Sequence, residues 1–217
     1  MEKYLQFRIS LHHVKPEVWR TFQVSELHSL YDLHQVIQVV MGWEDNHLFQ
    51  FNKGGIFYGM PDSEGDNGPQ FKDAGDVFIE DLNLSAGDTM GYEYDFGDGW
   101  THTLTVLKRL ELEEDLLPVA LTGANACPFE DCGGPDAYNQ LVKSLLHPKT
   151  SEDFEMKEVL GDFDPAFFDL EEVNEILADI DEEGEWDEDD EYDDEDIEGE
   201  DPDDDVFEDF DDDARKN

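Results

Sequence analysis

Positive charge is scarce in this chain. Its 217 residues carry 13 Lys and Arg against 59 Asp and Glu, a formal net charge of −46. Outside the last few residues the bases stand singly, except for Lys108-Arg109. No basic face is available to neutralise phosphates or an anionic bilayer, so direct nucleic-acid and membrane-surface binding are disfavoured. Cysteine is nearly absent. Cys127 and Cys132 cannot build a disulfide framework, which leads us to expect a reducing, cytoplasmic setting. No apolar run approaches the ~18 residues of a membrane span. Met1-Glu2-Lys3 leads straight into a strand pattern, without a charged-then-apolar leader. There is no glycine loop of the P-loop or dinucleotide kind, and no internal repeat.

What is present is acid, unevenly distributed. Residues 179–217 hold 25 acids and two bases, a net −23, while the other 178 residues hold 34 acids and 11 bases, another −23. The terminal stretch has too little apolar content to fold, so the expected organisation is a domain over residues 1–178 followed by a disordered acidic tail. Trp186, Tyr192, Phe207 and Phe210 are spaced among the tail's acids. Aromatics can anchor where acids steer, so the tail reads either as a solubiliser or as a docking segment for a basic protein partner.

Within the domain, residues 5–11 and 18–24 alternate or cluster as strands. Ser29 with Asp32 forms a helix start, Leu30, Leu33, Ile37, Val40 and Met41 recur at helical spacing, and Gly42 closes the helix. Strands are expected over residues 47–51 and 56–59, a polar loop over 61–75, and a short edge strand over 77–82. Residues 110–134 read mostly as loop, with a short strand at 117–121. Pro135 opens a helix that Pro148 stops, residues 151–160 form a shorter one, and Asp169 with Glu172 starts another. Strands first and helices later make the fold class α+β, with a mainly antiparallel sheet.

The richest segment is residues 92–106. Tyr92, Tyr94 and Phe96 alternate with Glu93 and Asp95, and Asp98-Gly99 reads as a two-residue hairpin turn. That turn places Asp95 opposite His102 on one face. The pair reads as a base and its orienter, as metal ligands, or as a structural pair that sets the sheet register.

Three segments carry a resemblance. They are residues 33–43 with 47–51, residues 94–102 (Tyr-Asp-Phe-Gly-Asp-Gly-Trp-Thr-His), and residues 127–135 (Cys-Pro-Phe-Glu-Asp-Cys-Gly-Gly-Pro), with a weaker match at residues 163–168. In this order they resemble the Ri-plasmid ORF-three-like family, whose members are often labelled insertion-element passenger proteins. The likeness spans residues 4–178. It implies a compact α+β domain and a mobile-element setting, and it carries no activity over. Phe129 stands where the family usually has a second proline.

Within these motifs Trp43, His47, Asp98, Trp100, Glu130 and Asp131 are the candidate binding residues, with Trp100 also readable as core. Cys127 and Cys132, with His102, are candidate zinc ligands. The same cysteines also read as a reversible thiol pair and, first of the three, as a structural turn before the Pro135 helix. Gly133-Gly134 could cradle an anion, but Glu130 and Asp131 at its mouth oppose that. His34 and Gln38, one helical turn apart, read as boundary residues bonded locally, and residues 62–68 as a plain surface loop rather than a calcium loop. Two function classes follow. One is a non-enzymatic interaction module without a cofactor. The other is a metal-dependent enzyme built on the Asp95–His102 pair and the cysteine loop.

Overall fold

The computed structural model describes residues 1–61, 70–113, 116–161 and 163–182. The surface loop read at residues 62–68 lies outside these, as do the tail residues Trp186, Tyr192, Phe207 and Phe210. The architecture is α+β. Eight strands form one sheet in the order β5-β4-β3-β6-β7-β1-β2-β8. Every neighbouring pair is antiparallel except β4 with β5.

β1 (Glu2–Leu11) and β2 (Trp19–Ser25) form the first hairpin. β1 alternates buried Leu5, Phe7, Ile9 and Leu11 with half-exposed Gln6, Arg8 and Ser10. α1 (Leu30–Met41) follows. The Ser29 side chain accepts from the Asp32 N–H while the Asp32 carboxylate accepts from the Ser29 N–H, and Gly42 caps the other end at φ 85°. Its Leu30, Leu33, Ile37, Val40 and Met41 stripe enters a core shared with Phe7, Phe22, Phe51, Tyr92 and Trp100.

β3 (Phe49–Lys53) and β4 (Ile56–Gly59) form the next hairpin. β6 (Thr89–Tyr94) and β7 (Trp100–Leu112) fill the centre of the sheet, and β8 (Val119–Ala124) ends it. α2 (Gly134–Leu146) carries Pro135 in its first turn and buries Tyr138, Val142 and Leu145. α3 (Ser151–Leu160) is capped by Thr150 and buries none of its residues. α4 (Leu170–Glu182) starts where Asp169 Oδ1 accepts from the Glu171 and Glu172 N–H groups. It packs on β8 and α1, with Leu177 buried.

Four local expectations are corrected. The loop of residues 61–75 contains β5 (Phe71–Asp73), a parallel pairing that only the distant β4 can specify. Residues 77–82 form no edge strand. Ile79–Leu82 is a short 3-10 helix, because Asp81 Oδ2 bonds the Phe78 N–H and Asn83 turns left-handed at φ 48°. β7 runs on to Leu112, and β8 ends at Ala124 rather than at residue 121.

The fourth correction moves the site. Asp98-Gly99 is not the hairpin tip. Tyr94 pairs with Trp100 and Tyr92 with His102, so residues 95–99 form a five-residue loop. Asp95 adopts φ 52°. Its Oδ1 accepts from the Gly97 and Asp98 N–H groups, and its carbonyl accepts from the Gly99 N–H. This side-chain turn lengthens the loop and shifts the register. Asp95 leaves the ladder, and His102 faces Tyr92 in its place.

Candidate functional site

Three loops meet at one end of α1: the chain leaving the helix, the β6–β7 loop, and the cysteine loop before α2. Trp43 and Asp98 are among the side chains that hold the cysteine loop to the others. Trp43 Nε1 donates to the Pro128 carbonyl (3.0 Å), and Asp98 Oδ2 accepts from the Gly133 N–H (3.0 Å). Gly134 is needed here. It adopts φ 81°, and a Cβ would lie 2.7 Å from the Asp98 carbonyl oxygen.

His47 sits at the meeting point. Its Nε2 lies 3.7 Å from Asp95 Oδ2, 3.5 Å from Glu130 Oε2 and 3.2 Å from Asp131 Oδ1. One ligand atom each from His47, Asp95 and Asp131 lies within 4.8 Å of the others. His47 Nε2 and Glu130 Oε2 are both shut off from solvent and make no hydrogen bond. Asp95 and Asp131 both hold left-handed backbone, at φ 52° and 55°. Non-glycine residues adopt that conformation at a conformational cost that surrounding contacts must offset.

The supports are aromatic and polar. Tyr94 stacks on Trp43 (4.9 Å between ring centroids) and meets the His47 ring edge-on (5.9 Å). The Tyr94 hydroxyl donates to Glu130 Oε1 (2.9 Å) and accepts from the Asn46 N–H, while the Glu44 N–H also reaches Oε1 (3.0 Å). Burial, then the bond to Glu130, raises the Tyr94 phenol well above its ordinary value, so it stays a donor. One Glu130 oxygen is thus fixed and the other is left turned toward His47.

A second network adjoins the first. His34 lies stacked on Phe49 (3.6 Å). It joins Tyr92 Oη through Nδ1 (2.8 Å) and Asp45 Oδ1 through Nε2 (2.7 Å). Gln38 Nε2 donates to the Tyr92 hydroxyl, which assigns the hydroxyl proton to His34 Nδ1 and the imidazole proton to Nε2. Burial holds His34 below its ordinary pKa despite the opposing pull of Asp45. Burial also works against the Asp45 anion, but the bonds from His34 and Gln35 outweigh it and keep Asp45 below the usual carboxylate value. A cleft of about 320 Å³ opens beside this pair and borders His47.

Of the candidates read from sequence, His47, Asp95, Glu130 and Asp131 come together, with Trp43 beneath and Asp98 tying two loops. Trp100 is fully buried in the core. His102 stands apart from the cluster, edge-on to Trp43 at 5.4 Å, with Nδ1 3.3 Å from the Tyr92 carbonyl. Burial lowers its pKa to about 3. The two cysteines are free thiols. Burial pushes the Cys127 thiol up despite nearby Arg20, and pushes Cys132 up to about 11, with Asp98 adding to the shift. A free thiol so shifted is a poor nucleophile. Among the described residues, neither cysteine joins a three-ligand group, nor does His102. The residue that sequence reasoning left out is Tyr94, whose only signal was its place in a motif.

No helix among the described residues is long and apolar enough to cross a membrane. The model of a family described as plasmid pRiA4b ORF-3-like protein matches residues 3–172. The chain is 31% identical over 179 residues to the uncharacterized protein y4hQ of Sinorhizobium fredii (strain NBRC 101917 / NGR234), covering 81% of this chain and 91% of that one. It is similar to the crystal structure of a protein of unknown function, MM3350 from Methanosarcina mazei Go1. That match has a TM-score of 0.69 and 32% identity, and it covers 80% of this chain and 97% of the other.

Proposed function

This chain belongs to the plasmid pRiA4b ORF-3-like family, and from that premise we propose that its motif loops build a divalent-cation centre with His47, Asp95, Glu130 and Asp131 as the protein ligands. One observation carries the reading. An imidazole nitrogen lies 3.2–3.7 Å from three carboxylate oxygens. With bonds of about 2.0–2.2 Å, donor atoms around one ion sit roughly 3–3.5 Å apart, so His47, Asp95 and Asp131, whose ligand atoms lie within 4.8 Å of one another, need only small rotations, while Glu130 must swing further to join them. One nitrogen and three oxygens suit first-row divalent ions such as manganese, iron or zinc. Three carboxylates are more negative than a single divalent ion is positive, which argues against phosphate substrates. A bound ion would supply Lewis acidity, polarising a carbonyl or activating water.

The test is calorimetric titration of metal-stripped protein with Mn²⁺ and with Zn²⁺. One ion per chain is expected, with binding weakened at least about tenfold in His47→Ala and in Glu130→Gln. Wild-type protein that takes up no ion, or variants that bind as wild type does, would overturn the reading.

A second reading rests on the acids and spaced aromatics of the terminal stretch. Residues 179–217, with 25 acids among them, would dock a basic protein in the cytosol, through Trp186, Tyr192, Phe207 and Phe210. Replacing those four aromatics by Ala keeps every charge. Unchanged affinity for a basic partner would reduce the segment to a solubiliser.

A further inference from the structure

We propose that the cleft beside His47 receives a lysine side chain of a basic partner protein. This inference goes beyond the cation centre and does not depend on it. The cleft has the dimensions and the amphipathic lining for that side chain. Its volume is about 320 Å³, Phe49 lies buried within its lining, and Leu48 and Met60 are exposed. Such walls accept a four-carbon stem. The polar part of the lining comes from Tyr31, Asp45, Asn46 and, at its border, His47. A carboxylate, an amide oxygen and a phenol oxygen are the acceptors that an ammonium group with three donors requires.

The charge at this end is not cancelled within the described chain. The side chains bonded to Asp45 are His34 and Gln35, each at 2.7 Å. The amide is neutral, and His34 is held neutral by burial. The ion pairs made by Arg among the described residues lie elsewhere, at Arg8–Glu17 and Arg109–Glu26. Even with a divalent ion at His47, the three carboxylates there leave one negative charge, so the surrounding field still attracts a cation. The exposed Leu48 and Met60 favour a protein-borne lysine over a free amine. A small amine would leave both in water, whereas the flanking chain of a partner covers them.

The test is fluorescence polarisation of a labelled five-residue peptide, acetyl-Gly-Leu-Lys-Leu-Gly-amide, against the full chain. Saturable binding is expected, weakened at least about tenfold when the lysine is acetylated, because the cation is lost and the shape is largely kept. Asp45→Asn should weaken binding similarly. Because that change also touches the His34 network, Met60→Arg provides a second arm by placing a fixed cation at the cleft mouth. It should abolish peptide binding while circular dichroism and Mn²⁺ uptake stay as in wild type. Absence of peptide binding by folded wild-type protein, equal binding of the acetylated peptide, or full binding by Met60→Arg would each overturn the proposal. Free butylamine competing as well as the peptide would also overturn it, in favour of a small-amine site. Failure of the cation centre shows separately, as absence of Mn²⁺ uptake.

Discussion

His102 shows how much of a residue's chemistry is set by where the ladder places it. Opposite Asp95 it would have been a candidate base. Opposite Tyr92 it is a buried, neutral imidazole with a pKa of about 3. That value lies below the 6.5 of a free histidine, so between the two the unfolded chain binds the extra proton. The stabilising contribution is complete above pH 6.5 and is lost as pH falls toward 3. We expect unfolding free energy, measured in urea with a chelator present, to drop by about 2 kcal/mol from this residue between pH 7 and pH 5. His34, also lowered by burial, adds in the same direction. His102→Gln should flatten the slope by close to one proton. An unchanged slope would mean that His102 is charged in the folded state. The residues of the site were legible as types in rare motifs, but their partnership was not. A Phe-Gly-Asp-Gly run permits both a two-residue and a five-residue loop. The choice rests on Asp95 bonding the Gly97 and Asp98 N–H groups, and it exchanges His102 for His47.

At the scale of elements, periodicity and capping located what local physics specifies. α1 carries its own start in Ser29 and Asp32 and its own stop in Gly42, and the structure places it there. β5 and the 3-10 helix at Ile79–Leu82 lacked such marks. The first exists through a parallel neighbour far along the chain, and the second through one carboxylate bond. The end of β8 was hidden for a related reason, since the strand is shaped partly by α4. Asn174 Oδ1 accepts from the Ala120 N–H (2.8 Å) and its Nδ2 donates to the Ala120 carbonyl (3.0 Å), so a side-chain amide occupies the open edge of the sheet. Asn174→Ala should cost about 1–2 kcal/mol by leaving a half-buried peptide group unpaired. The Ala120 amide should then exchange its hydrogen faster than the other amides of β8 do. Wild-type exchange at that amide in the variant would show that solvent replaces the asparagine without loss.

The whole molecule combines a sheet-centred core with a net charge of −46, half of it carried by residues 1–178 and half by residues 179–217. α4 runs through Glu182 with Leu177 buried, past the boundary read at residue 178. The 35 residues beyond Glu182 hold 22 acids and two bases. Apolar burial, which dominates folding free energy, holds together the described residues up to Glu182, while nearly half of the net charge lies beyond them. A chain ending at Glu182 should unfold cooperatively with undiminished stability. At low salt it should be somewhat more stable than the full chain, because repulsion between the acidic domain and the acidic segment is gone. The gap should close at high salt, where charges farther apart than about 3 Å are screened at 1 M. A chain ending at residue 169 provides the contrast. It loses Leu177 from the core and Asn174 from the β8 edge, and should be destabilised at every salt concentration. The measurement is thermal unfolding of the three chains at two ionic strengths. If truncation after Glu182 lowers the midpoint at high salt, where repulsion is screened, then the acidic segment contributes contacts to the fold, and charge alone does not describe its role.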